Sequence, residues 1–447
     1  MLKDFTQGII WTRLILFAIP LLLSSLVQQL YNTVDLIFVG NLLGTAASSA
    51  VGASSLLITC LVGFFGGMSV GAGVVVAHAF GAGEQTKLKQ AVHSSVALCL
   101  VGGVLLMLAG YLLAPFYLRL VNTPQALQAD AVGYLRIYVF SFVPLVTYNI
   151  CSGMLRALGD SQTPLYAQLV GGIGNVLLDA LLLMGFDYGI EGVAWATVFA
   201  QSLAAALILL KLARLDNSYA LRLKELRFSP EPLYNIVGIG FPAGIQSLVI
   251  TLSNVVVQYH INAISVPAIA AFTAYFRVEL VIYLPILAIG QTAMVFVGQN
   301  MGAHQFQRVK EGTNQCLAVG LVLTAVLSGL ALMFGEQLFR VFAKDKEVIE
   351  LGLQIIHITF PYYFIYLVLQ VFGDSLRGMG VSKPPMLIIL LNICLIRTVL
   401  LFLIVPNYPD VRGVALTYPV TWALTAVCMF GYYVYYRKKH LEVGGEN

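Results

Sequence analysis

The chain has 447 residues, 59% hydrophobic and 10% charged, with a formal net charge of +4 and a mean hydropathy of +0.86. A soluble domain carries roughly 25% charged residues, so this composition excludes a water-soluble protein. The six cysteines, Cys60, Cys99, Cys151, Cys316, Cys394 and Cys428, all fall in apolar stretches without metal-type spacing, and read as small core or lipid-facing residues.

Apolar stretches of about 20 residues recur along the chain, each long enough to cross a bilayer core of about 30 Å as a helix. The alternating polarity of ~10-residue barrel strands is missing, which leaves a helical bundle. The spans expected are approximately 14–40, 47–77, 91–114, 130–154, 164–186, 192–212, 234–263, 268–298, 313–335, 349–374, 385–406 and 413–436. The first continues without an Ala-x-Ala site and reads as a span rather than a cleaved signal. Two sets of six follow: residues 1–215, a charged linker over 216–232, and 233–447.

The two sets are copies. His78-Ala-Phe-Gly-Ala-Gly-Glu matches Gln299-Asn-Met-Gly-Ala-His-Gln, Leu155-Arg-Ala-Leu-Gly159 matches Leu376-Arg-Gly-Met-Gly380, and Gly192-Val-Ala194 matches Gly413-Val-Ala415, each pair about 221 residues apart. Duplicated multi-span units are a common build for transporters that rock one half against the other. Seventeen Lys and Arg residues fall on the side that holds both termini and six on the other. By the positive-inside rule both termini are expected in the cytoplasm.

Ionisable groups inside a span cost roughly 2.5–3.5 kcal/mol each on insertion scales, so those present call for a reason. In span 1, Gln28, Tyr31, Asn32 and Asp35 recur at helical steps and form one polar stripe. Asn175 and Asp179 share a face of span 5, and Thr197 lies about a turn into span 6. Together Asp35, Asn175, Asp179 and Thr197 offer oxygens suited to a hard cation such as Na⁺, or carboxylates able to trap a proton. A structural hydrogen-bond network is the competing reading for each. At the repeat offset these acids meet apolar residues, so the acidic cluster is confined to one copy. The second copy carries Arg277, Glu279 and Arg397, read as a charge network in which Arg397 neutralises Glu279 or as part of the transport path. Gln246, Gln291 and Gln370 either line a cavity or glue helices together. His78 and His304 read as loop residues, and Arg156 and Arg377 as helix ends on the positive side. No Walker-type phosphate loop, Ser-His-Asp grouping or paired metal ligand set is present, so no enzyme is expected.

Gln28-Gln-Leu-Tyr-Asn-Thr-Val-Asp-Leu-Ile-Phe-Val-Gly40, Gly174-Asn-Val-Leu-Leu-Asp179, Ala271-Phe-Thr-Ala-Tyr-Phe-Arg-Val-Glu279 and Val297-Gly-Gln-Asn-Met-Gly302 resemble motifs of the multidrug and toxic-compound extrusion (MATE) family, with the likeness covering nearly the whole chain. The acids of the first copy resemble the branch of the DNA-damage-inducible F proteins. The other prokaryotic branch carries acids in spans 7 and 10, and here the positions near Ile250 and Tyr366 are not acidic. The resemblance implies an all-α integral membrane protein, with twelve transmembrane helices in two duplicated six-helix lobes around a central cavity. It implies export of amphipathic, often cationic drugs in exchange for H⁺ or Na⁺ by alternating access, with Asp35, Asn175, Asp179 and Thr197 as the coupling site. Gln28, Tyr31, Asn32, Tyr138 and Tyr148 are expected to line the substrate cavity. No cofactor beyond the coupling ion and no nucleic-acid partner is expected. A monomer surrounded by lipid, in the inner membrane of a prokaryote, is the expected setting. The alternative is a flippase for lipid-linked oligosaccharides, which should show several cavity-facing Arg or Lys groups.

Overall fold

The computed structural model describes residues 4–186, 188–215 and 219–442; within these, the side chains at 32, 35–37, 41–42, 45–48 and 442 lie outside the description. Among the described residues, twelve helices are long and apolar enough to cross a membrane: α1 (Ile10–Tyr31), α2 (Ser49–Gly81), α3 (Gln85–Leu120), α4 (Gln125–Ala157), α5 (Gln162–Gly185), α6 (Gly189–Ala213), α7 (Pro230–Asn262), α8 (Val266–Gly302), α9 (Phe306–Met333), α10 (Lys346–Gly378), α11 (Lys383–Ile404) and α12 (Val411–Leu441). No strand occurs among the described residues. The helix of α1 continues to Phe38 and passes through a wide π-type turn, Val39–Leu43, straight into the helix that contains α2. Several helices outrun their apolar stretches because their ends are fixed by polar caps. Asp160 Oδ1 accepts from the Gln162 and Thr163 amides at the start of α5 (3.1 and 2.9 Å), and Ser265 Oγ accepts from the Ala268 amide at the start of α8 (3.2 Å).

The repeat seen in sequence is a repeat of backbone. Gly159 and Gly380 end α4 and α10 in the left-handed region (φ 84° and 85°). The same pair of turn bonds closes both ends: Gly159 N to Arg156 O and Asp160 N to Leu155 O (both 2.8 Å), and Gly380 N to Arg377 O and Val381 N to Leu376 O (2.8 and 2.9 Å). The α2–α3 and α8–α9 turns likewise put Gly83 and His304 at matching positions with positive φ (68° and 56°). A short tight turn interrupts α4 at Val139–Ser141 and α10 at Phe360–Tyr362, again at matching positions.

The chain divides into two compact units, one of residues 1–4 and 19–244, the other of residues 5–18 and 245–447. This differs from the boundary expected at the 216–232 linker. The first part of α7 stays with the first unit because its glycines let it lie backbone-to-backbone on α2. A Cβ on Gly71 would run into Ile236 O and lie 2.6 Å from Gly240 N. The linker is also fastened to the first unit. His93 Nε2 accepts from the Arg222 amide (3.2 Å), Ser94 Oγ accepts from the Ser229 amide (2.9 Å), and Lys89 pairs with Glu225 (2.5 Å). The Lys89 ammonium, hydrogen-bonded to it, holds the Glu225 carboxyl below the usual carboxylate range. In the second unit, Phe5 donates its amide to Gln299 Oε1 (2.8 Å), and Arg308 Nη2 bonds the Phe5 and Gly8 carbonyls (3.0 and 3.2 Å).

Close backbone approach is the packing device that membrane helices use in place of a hydrophobic drive. Gly71→Ala is therefore expected to destabilise the protein by about 1–3 kcal/mol or more, whereas a Cβ on nearby Gly66 meets nothing within 4 Å. Thermal unfolding of the two detergent-purified variants checks this. Equal midpoints for Gly71→Ala and Gly66→Ala would show that the contact is not tight.

Candidate functional site

The first unit gathers its buried polar residues where α1, α5 and α6 meet. Glycine makes the meeting possible: Gly171 of α5 faces the Ala200 carbonyl of α6 (3.1 Å to an added Cβ), and Gly172 faces the Tyr31 side chain (3.6 Å). Tyr31, Gln168, Asn175, Thr197 and Gln201 then border a crevice of about 10 Å³, room for about one water molecule. Asn175 and Asp179 are 2% and 0% exposed, one turn apart on the same face of α5. The Asn175 amide has no hydrogen-bond partner among the described residues. Thr197, 7% exposed, bonds back to the Val193 carbonyl (3.1 Å), and Gln201 reaches the Tyr31 hydroxyl (3.5 Å). Directly after Asp179 the helix widens into a π-type turn, Leu181–Gly185, a feature often found at functional sites.

Thus Asn175 and Thr197 border one crevice with Tyr31, and Asp179 lies a turn from Asn175. Asp35 stands one turn beyond Tyr31 in the same continuous helix, but its side chain and that of Asn32 lie outside the described residues. Of the other residues expected around a substrate, Gln28 is exposed. Tyr138 is half-buried against Tyr134 and Phe142 (ring centroids 5.8 and 6.2 Å). Tyr148 is buried in the main apolar cluster and donates its hydroxyl to the Pro164 carbonyl (3.1 Å), a core position rather than a cavity wall.

In the second unit the expected pairing of Arg397 with Glu279 is replaced by other partners. The Glu279 carboxylate accepts from the Tyr363 hydroxyl. Arg397, 4% exposed, donates to Thr421 Oγ1 from Nη2 (2.9 Å) and lies over the Tyr418 ring (4.4 Å). A hydroxyl and a ring face satisfy the guanidinium where it sits, and no ion pair joins Arg397 to Glu279 among the described residues. Arg277 is partly buried.

One buried ion pair escaped sequence reasoning. Asp374 and Arg377 of α10, 4% and 7% exposed, pair with each other; Arg377 also donates to Gln246 Oε1 (2.8 Å), and Gln370 donates to Asp374 Oδ2 (2.7 Å). Arg377 is thus a buried group and not simply a helix end on a charged surface. Its i, i+3 spacing from Asp374 was the available signal. The Asp374 carboxylate is seated on Gly290 of α8, where no Cβ fits. The matching contact in the first unit is inverted, with Ser69 of α2 seated on Gly153 of α4.

Twelve apolar helices among the described residues, with carboxylates, amides and guanidinia held inside the protein, define a multi-span membrane protein. The chain belongs to the MatE family, whose model matches it twice, over residues 20–181 and 242–403. It is 27% identical over 445 residues to "Probable multidrug resistance protein YoeA" of Bacillus subtilis, covering 96% of this chain and 95% of that one. It is 28% identical to "Probable multidrug resistance protein YpnP" of the same organism, covering 98% of both. It is 26% identical to an "FAD transporter" of Shewanella oneidensis, covering 92% of both. Its fold matches a crystal structure of MATE in the bent conformation with a TM-score of 0.92 at 18% identity, covering 100% of both chains.

Removing one partner of a buried ion pair strands the other and costs roughly 3–5 kcal/mol. Arg377→Gln is expected to lower the thermal midpoint sharply, and Asp374→Leu combined with Arg377→Met to recover most of the loss. If the single variant melts with the wild type, the pair is not holding α10.

Proposed function

We propose that the chain exports amphipathic, often cationic small molecules across the cytoplasmic membrane of a prokaryote in exchange for protons, by alternating access, as a monomer with both termini in the cytoplasm. The observation that carries this reading is the buried Asn175–Asp179 face of α5, whose Asn175 borders a crevice with Tyr31 and Thr197. A buried carboxylate on a membrane-spanning helix has a high cost and is a functional group by default. Asp35, one helical turn from Tyr31, completes the coupling set. The names of the relatives from Bacillus subtilis support drugs as cargo.

The exchange follows from competition. Ionised carboxylates attract an organic cation, and aromatic faces add to the pull. A proton taken up by the same carboxylates removes part of that attraction and favours release. Each ligand must then weaken the other by the same factor. Dye binding should therefore fall as pH falls through the range in which the acids protonate. Sodium coupling at the same four residues is the other outcome, and the name of the FAD-transporting relative makes an anionic cargo a fair control.

The test is efflux from inverted membrane vesicles with pH and sodium gradients imposed separately. Ethidium-type dyes, FAD and a lipid-linked pyrophosphate serve as separate cargoes. Dye export driven by the pH gradient alone supports the proposal. Export driven only by sodium replaces the ion, and transport of only the anionic cargoes replaces the function.

Two substitutions sharpen it. Asp35→Asn keeps the shape, removes the titratable group, and should abolish gradient-driven export with expression intact. Asp179→Asn should shift the pH profile of transport, because linked carboxylates titrate as a set. Wild-type rates and profiles in both variants would remove these acids from the mechanism.

A further inference from the structure

Glu279 lies on α8 in the second unit, outside the site assigned above. Its carboxylate accepts from the hydroxyl of Tyr363, a phenol that is completely buried and is the first residue after the tight turn interrupting α10. The bond ties α8 to the place where α10 is already broken. Tyr275, one turn before Glu279 on α8, is completely buried in the same cluster.

The surroundings decide what Glu279 can bind. Tyr363 and Tyr366 pack on Trp422 with ring centroids 4.9 and 5.3 Å apart, and Tyr275 packs on Phe360 at 6.0 Å. These rings pack around the Tyr363 side of the carboxylate, and a proton, unlike an organic cation, needs no space of its own there. Arg397 acts on Glu279 only through space, because its own contacts are Thr421 and the Tyr418 ring. The other titratable groups near Glu279 are Tyr275, Tyr283 and Arg277 on α8, Tyr366 on α10 and Tyr418 on α12. The remaining charges of neighbouring helices stand apart. Arg308, Lys310 and Glu311 are in the first turns of α9, Lys346, Glu347, Glu350 and His357 are exposed on α10, and Glu336 and Arg340 pair with each other.

The position within the repeat points the same way. At the repeat offset Arg397, Tyr418 and Trp422 fall on Val176, Thr197 and Gln201, two of which border the crevice of the first unit. Two of the places that hold the aromatic cluster around Tyr363 in the second unit thus border the polar crevice beside Asn175 in the first.

We propose that Glu279, held by Tyr363, is a second proton-binding group of this transporter, located in the second unit. Deepening the function proposed above, it rests on that reading. Taking up a proton converts the carboxylate to a carboxylic acid and exchanges a charge-assisted bond from the phenol for a neutral one, which is roughly half as strong. The bracket between α8 and the broken turn of α10 loosens as the proton binds, and the second unit registers the proton without touching the cargo.

The experiment is pH-jump difference infrared spectroscopy on the purified full-length protein in liposomes, read with the ratio of protons to dye moved in the same vesicles. The pH-dependent C=O band of protonated carboxylic acids should contain, in wild type, a component that is missing from Glu279→Gln and retained in Asp35→Asn. Tyr363→Phe, which keeps the carboxyl, should retain the band at a shifted frequency and titrate at a different pH. It also serves if Glu279→Gln does not fold. The proton-to-dye ratio should fall in Glu279→Gln with dye affinity within about twofold of wild type. An unchanged band in Glu279→Gln, or an unshifted one in Tyr363→Phe, overturns the proposal and leaves the first-unit mechanism standing. A wild type that moves dye without protons overturns the function proposed above, while the infrared titration still reports on Glu279 directly.

Discussion

The hydrocarbon core of a bilayer offers no water to a backbone N–H or C=O, so each must find its partner within the chain. Everything else in this protein follows from that constraint. It makes every span a helix, and it removes the hydrophobic effect as the force joining helices once they are inserted. Joining must then come from close contact. Hence Gly71 lies against the backbone of α7, Gly171 against that of α6, and Gly290 beneath a carboxylate. The same constraint requires each polar side chain to be satisfied by protein, which draws Asp374, Arg377, Gln246 and Gln370 into one network.

Duplication supplied the scaffold, and the two copies have since diverged in chemistry. The turns at Gly159 and Gly380 are nearly superimposable in their hydrogen bonds, and the interruptions of α4 and α10 coincide. What fills the scaffold differs. The first unit carries a carboxylate and an amide on α5, where the second has Leu400 and Ile396. The second carries Glu279 and Tyr363 where the first has Ile58 and Phe142. Backbone geometry is shared because the bilayer imposes it equally on both copies. Side-chain chemistry is free to differ because each buried polar group needs only local satisfaction.

The fold was legible because length and hydropathy nearly determine a membrane helix, and a repeated Gly-Ala turn survives as a sequence signal. The shared face of α5 was legible from four-residue spacing, since Asn175 and Asp179 stand out against an apolar helix. Partnership between helices was not. Nothing in the spacing of Arg397 and Glu279 distinguishes an ion pair from two groups served by Thr421 and Tyr363, because the choice depends on helix rotation. Tyr148 carries the same signal as a cavity aromatic until its hydroxyl is seen spent on Pro164. The unit boundary inside α7 was hidden as well. Charge marks the linker, whereas the division follows glycine contacts that carry no charge at all.

The segment Phe5–Ala18 belongs to the second unit, while the rest of α1 belongs to the first. Its anchors, Gln299, Asn300 and Arg308, are encoded almost 300 residues later. At a synthesis rate of about 5–20 residues per second, the start of the chain waits roughly 15–60 s for its binding partners to leave the ribosome. During that interval the first six spans have already emerged with one end of their first helix undocked. The first helix can therefore be docked along its whole length only after the second unit has been made as far as Arg308.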